Sequence, residues 1–227
     1  MITVTELVEP SKVSNRQPAP IVENYQALAH RLLSATTTAG AALRTIGITS
    51  SGTGEGVSTV AAQLATTVAG ISSRPVLLLD LNPTDVRRAA TLRVWSAQGL
   101  QDPSAPIAAP SSGVCESRFQ NLSLLSCRDA EQLHAPLDRS KVSALLNELN
   151  DEFGLVIVDM PPATESSLTL AMAGLLSGVL LVIEAEGTHH EAARRAQQNL
   201  THSQANILGV IMNKRTQHIP GWLYSRL

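Results

Sequence analysis

The 227-residue chain has little of what marks several large classes of protein. Only six side chains are aromatic, Tyr25, Trp95, Phe119, Phe153, Trp222 and Tyr224, so any core must be aliphatic. Two cysteines, Cys115 and Cys127, are too few and too loosely spaced for a metal cage or a disulfide framework, and they read as ordinary thiols of a reducing compartment. Basic charge is not in excess: 17 Lys and Arg face 19 Asp and Glu, a formal charge of −2. That balance excludes the electrostatic footprint of a nucleic-acid binder, which releases counterions from phosphates through a basic face. No apolar run approaches the roughly 20 residues of a membrane span, and the start MITVTELVEP places Glu6 and Glu9 where a secretory signal is basic and then apolar. The expectation is a cytoplasmic protein without direct membrane insertion. Lysine is scarce as well, present only as Lys12, Lys141 and Lys214, and no internal repeat stands out.

What is present is a chain 44% apolar, enough for one large core. Residues 1–20 hold Pro10, Pro18 and Pro20 among small polar residues and read as an extended or mobile arm. From Ile21 to about Ala39, Tyr25, Leu28, Leu32 and Ala35 recur at helical spacing, which predicts an amphipathic helix ending before Gly40. Five runs then lack polar alternation: Thr45 to Thr49, Val76 to Leu81, Leu155 to Asp159, Val179 to Ile183 and Ile207 to Met212. Such runs imply strands covered on both faces, and Leu122 to Leu125 adds a further strand. Helical stripes lie between them at Val60, Leu64 and Val68, at Val142, Leu145, Leu146 and Leu149, and from Ala192 to Leu200. Strand alternating with helix predicts an α/β fold, a doubly wound, mainly parallel sheet with helices on both faces in three layers. The proline-containing stretch between Gly99 and Gly113 reads as a long loop or insertion. The expected organisation is an arm over 1–20, a domain over 21–216 and a tail over 217–227.

The stretch TIGITSSGTGEGVSTVAAQLATTVA, Thr45 to Ala69, carries most chemical information. A buried strand runs into a loop with Gly52, Gly54 and Gly56, and Ser58-Thr59 opens a helix. Glycines let successive backbone N–H groups turn toward an anion, and the helix N-terminus adds partial positive charge, so the pattern predicts a phosphate-binding loop. Its candidate nucleotide-binding residues are Gly52, Gly54, Glu55, Gly56, Val57, Ser58 and Thr59. The catalytic form of this loop needs Lys just before the Ser or Thr, where this chain has Val57. A second Lys found near the start of some such loops corresponds to Gly52. Asp80 closes VLLLDLN and Asp159 closes LVIVDMPP, at the sheet edge where ligands bind; with Ser58 they form a candidate Mg²⁺ site, and they are the catalytic candidates if the protein is active.

Strand–GTGEGVST–helix, VLLLDLN, VIVDMPP, GVLLVIEAEGT and ILGVIMNKR together resemble the cytoplasmic domain of bacterial tyrosine autokinases, deviant Walker-type P-loop ATPases that act with polysaccharide co-polymerases. The resemblance covers about residues 21–216. It implies ATP or ADP with Mg²⁺ as ligands, Asn213 at the position that reads adenine, and a membrane polysaccharide co-polymerase or an active homologous kinase as partner. The departures point one way. The lysine position is Val57; the second Asp of the strand motif is Asn82 beside Asp80; the following Arg residues are Pro83 and Thr84. The Glu and two Arg of the family's assembly helix correspond to Glu23, Gln26 and Ala29, which removes the basis for ring formation and leaves homo-oligomerisation open. The tyrosine cluster of the family's tail is reduced to Tyr224 beside Trp222, which reads as a packing or docking pair. His189-His190, Arg194-Arg195 and Lys214-Arg215 read as solvated faces. The leading expectation is a degenerate, non-catalytic pseudokinase with weak nucleotide binding, serving as a regulatory or scaffold component in exopolysaccharide or capsule biosynthesis or export. Two alternatives stay open: an active kinase or ATPase whose missing charge comes from Lys214, Arg87 or a partner chain, and a positioning or partitioning ATPase.

Overall fold

The computed structural model describes residues 2–6, 19–37, 40–81, 114–126 and 139–215. Asn82, Arg87, the stretch between Gly99 and Gly113, Cys127 and the tail 217–227 with Trp222 and Tyr224 lie outside the described residues. The elements, in chain order, are β1 Ile2–Glu6, α1 Ala19–Ser34, β2 Thr45–Ser50, α2 Val57–Ile71, β3 Val76–Asp80, β4 Cys115–Glu116 and β5 Leu122–Ser126. They continue with α3 Arg139–Glu152, β6 Leu155–Asp159, α4 Ser167–Ala173, β7 Gly178–Glu184, α5 His190–His202 and β8 Ile207–Asn213. The eight strands form one sheet in the order β1-β8-β7-β2-β6-β3-β5-β4, all pairings parallel except β4 with β5. Each of the five strands expected from unbroken apolar runs is present, and β2, β3 and β6 are buried along their whole length. Sheets covered on both faces need such runs, and parallel pairing gathers the C-terminal ends of all the strands but β4 at one edge.

Two hydrophobic clusters cover the sheet. On one face α1 and α2 pack through Tyr25, Leu28, Leu32, Val60, Leu64 and Val68; on the other, Leu146, Leu149, Leu168, Met172 and Leu200 from α3, α4 and α5 pack on β6 and β7. Tyr25 and Phe153 are the aromatic members of the described core, so the core is aliphatic as its composition requires. Gly47 lies at a close point of this packing: a Cβ there would run into Met160 and Leu176.

Three local features differ from expectation. Ile2–Glu6, placed in an arm by sequence, pairs in parallel with β8, with Glu6 opposite Met212. Its backbone supplies the edge pairing, and no periodicity is needed for that. The helix α1 ends at Ser34 rather than near Ala39. There the Ser34 hydroxyl donates to the carbonyls of His30 and Arg31, and Gly40 N donates to Thr37 O to start a turn. The α4 helix is too short to show periodicity; its N-terminus is fixed by the Ser166 side chain, which accepts from Thr169 N.

Candidate functional site

The loop between β2 and α2 follows from its glycines. Gly54 and Gly56 have φ of 85° and 93°, a region open to glycine at little cost. Gly56 is also the N-cap of α2, and no side chain caps the helix. At the same residue a Cβ would collide with the Asn213 amide, so glycine is required there twice over. The uncapped first turn therefore presents backbone N–H groups toward the C-terminal sheet edge, as an anion site needs.

The sheet edge is stitched to this loop. Ser50 Oγ donates to Gly52 O at 2.8 Å, Thr164 Oγ1 to Ser51 O at 2.6 Å, Ala163 N to Ser50 O at 2.9 Å and Thr49 Oγ1 to Pro161 O at 2.6 Å. The segment after β6 thus braces the loop. Asp80 and Asp159 face each other in register across β3 and β6, both buried, at 6% and 4% exposure. Parallel pairing brings the two sequence-predicted carboxylates together at one strand edge. Ser58 Oγ, in the first turn of α2, is buried and has no hydrogen-bond partner. A buried hydroxyl left unsatisfied costs about 1–3 kcal/mol. A hard divalent cation with its water or phosphate oxygens would satisfy it, and the donor set of one hydroxyl and two carboxylates fits Mg²⁺.

The predicted nucleotide-site residues divide into two groups. Gly54 and Thr59 are exposed and Gly52, Gly56 and Ser58 half-buried. Val57 and Glu55 turn inward. Val57 is 3% exposed and belongs to the hydrophobic cluster under α2. Glu55 is 7% exposed, and its carboxylate lies within the loop. Asn213, at the end of β8, donates through Nδ2 to Glu55 O at 2.9 Å, so its amide nitrogen holds the loop backbone. Glu184 and Asn213 are partners across β7 and β8. Lys214, read by sequence as part of a solvated face, instead forms an ion pair with Glu184 at 3.1 Å. His189, His190, Arg194 and Arg195 are exposed, as expected. On α1, Glu23 and Gln26 are exposed while Ala29 is fully buried, so the third position of the assembly pattern is not on the surface. Sequence reasoning missed Thr188, whose hydroxyl donates to the Glu55 carboxylate. The available signal was an acid set among glycines with no cation beside it.

A family model described as NUBPL iron-transfer P-loop NTPase, of the ParA group, matches residues 42–221. The tyrosine-protein kinase YwqD of Bacillus subtilis (strain 168) is 29% identical over 175 residues, 75% of this chain and 72% of that protein. The tyrosine-protein kinase CpsD of Streptococcus pneumoniae serotype 4 is 25% identical over 180 residues, 77% of this chain and 78% of that one. Among solved structures, the chimerical protein CapA2B2 is similar in fold, with a TM-score of 0.76 at 18% identity over 94% of each chain.

Proposed function

The chain belongs to the ParA family of P-loop NTPases and is related to bacterial tyrosine-protein kinases, and from that premise we propose that it binds nucleotide weakly, does not transfer phosphoryl groups, and acts as a cytoplasmic regulatory or scaffold component of exopolysaccharide or capsule biosynthesis or export. The observation that carries this reading is Val57. Its side chain is packed into the core where phosphoryl transfer needs an ammonium group. Among the described residues that frame the loop, 45–73 and 155–188 contain neither Lys nor Arg. Lys214 is the candidate substitute among the described residues, and it is engaged by Glu184. A charge-assisted hydrogen bond to phosphate is worth about 1.5–3 kcal/mol, so doing without the ammonium group weakens a site without abolishing it.

In this reading the N–H groups of the loop tip and of the first turn of α2 hold the phosphates. Asn213 lies at the adenine end, and Ser58, Asp80 and Asp159 hold Mg²⁺. When bound, the cation neutralises charge on the phosphate oxygens. The chain's own residues bind and orient the nucleotide. The partner is a membrane polysaccharide co-polymerase or an active homologous kinase, which recruits the protein to the inner face of the membrane; the kinase names of the relatives support this choice. The test is calorimetric titration with ADP and ATP in the presence of Mg²⁺, followed by a hydrolysis assay. Weak binding without turnover is expected. Turnover comparable to that of a lysine-containing relative would sink the reading.

A further inference from the structure

Glu55 is an acid drawn into a loop shaped for anions, and the groups that bind it come from separate parts of the chain. Its Oε2 accepts from Ser51 N at 2.8 Å and from Gly52 N at 3.1 Å. Its Oε1 accepts from the Ser51 hydroxyl at 2.7 Å and from the Thr188 hydroxyl. Thr188 Oγ1 in turn accepts from Glu184 N at 2.8 Å, and Thr188 N donates to Glu184 O at 3.1 Å, so this hydroxyl sits at the centre of the turn between β7 and α5. The ring closes through the backbone: Ala185 N donates to Asn213 O at 2.9 Å, and Asn213 Nδ2 donates to Glu55 O at 2.9 Å.

A buried carboxylate with four donors is strongly held, because each donor would be left unpaired if it swung out. It also supplies, from within, negative charge of the kind a phosphate brings. The first two N–H groups of the loop are thereby committed to Glu55, and the first turn of α2 is left for an external anion. We propose that Glu55 is a positioning residue that couples the phosphate loop to the turn at 184–188, so that the two segments order and loosen as one unit. Given the nucleotide-binding reading above, on which this consequence rests, occupancy of the loop is transmitted to the surface at Glu186 and Gly187, which are exposed.

Hydrogen–deuterium exchange on the full chain tests the coupling, with wild type, Glu55→Ala, Glu55→Gln and Thr188→Val compared with and without Mg²⁺ and ADP. Loss of a buried charge-assisted bond should raise exchange by about tenfold or more in both segments, 51–56 and 184–189, in the nucleotide-free Glu55→Ala protein. Exchange in β2, β3 and β6 should stay at the wild-type level. Thr188→Val leaves the loop sequence intact, and it should nevertheless loosen residues 51–56; Glu55→Gln, which keeps an acceptor oxygen, should restore part of the protection. Wild-type exchange at 51–56 in Thr188→Val, or an even rise across the whole sheet in every variant, would overturn the proposal. Tighter ADP binding by Glu55→Ala would overturn it too, since the carboxylate would then be a competitor of phosphate. If ADP protects nothing in wild type while the variants loosen both segments together, the coupling stands and the nucleotide-binding reading fails.

Discussion

Val57 is committed to the core, so Val57→Lys has two opposed effects. It removes apolar burial worth about 1–3 kcal/mol, and it brings an ammonium group to the mouth of the loop. The expected outcome is a lower melting temperature together with an affinity for ADP and Mg²⁺ raised by about tenfold or more. Scanning and titration calorimetry on the same sample separate the two. A folded variant with unchanged affinity would show that position 57 does not reach the phosphates, and the loss of the lysine would then not be the reason for weak binding. Tyr25 gives a residue-scale prediction that does not depend on the ligand. It is 4% exposed, and burial raises its hydroxyl pKa well above the ordinary 10. Below pH 10 both folded and unfolded states hold the proton, and the contribution to stability is full. Above it the unfolded chain ionises first, so stability falls by up to about 1.4 kcal/mol per pH unit as pH rises toward the folded value. Denaturant titrations of wild type and Tyr25→Phe between pH 8 and pH 11 should diverge only above about pH 10; parallel curves would refute the burial argument.

At the scale of elements, what could be read in the sequence was whatever a segment specifies by itself. The unbroken runs of β2, β3, β6, β7 and β8 and the stripe Val60, Leu64 and Val68 encode burial directly, so strands and the phosphate-loop helix were recoverable. The short α4 is specified by a cap and by packing against distant strands, and β1 by its pairing with β8; neither leaves a period to detect. The same distinction divides the site. The glycines, Ser58 and the two strand-end aspartates were legible because strand–loop–helix order fixes them. The inward turn of Glu55 was not, because the Thr188 hydroxyl that receives it lies 133 residues away. The α4 cap is testable on its own: Ser166→Ala removes the acceptor for Thr169 N and should cost about 1 kcal/mol in equilibrium unfolding. No change would mean that tertiary packing alone sets where α4 begins.

For the molecule as a whole, parallel pairing collects charge at one edge. A net charge of −2 looks neutral, but among the described residues the C-terminal sheet edge carries Glu55, Asp80, Asp159 and Glu184, of which Glu184 is paired with Lys214, while 155–188 and 45–73 supply no Lys or Arg. In an active P-loop protein the lysine and the cation share the neutralisation of the phosphates. With Val57 in place of the lysine, more of that neutralisation falls to the cation, so ADP binding should depend strongly on Mg²⁺. Replacing Mg²⁺ with EDTA is expected to weaken ADP by well over about tenfold in wild type, and by less in Val57→Lys, where part of the neutralisation returns to the protein. The two changes should therefore be non-additive in a cycle of four titrations at fixed ionic strength. Equal metal dependence in both proteins would mean that position 57 does not face the phosphates, and it would remove the loss of lysine as the reason for weak binding.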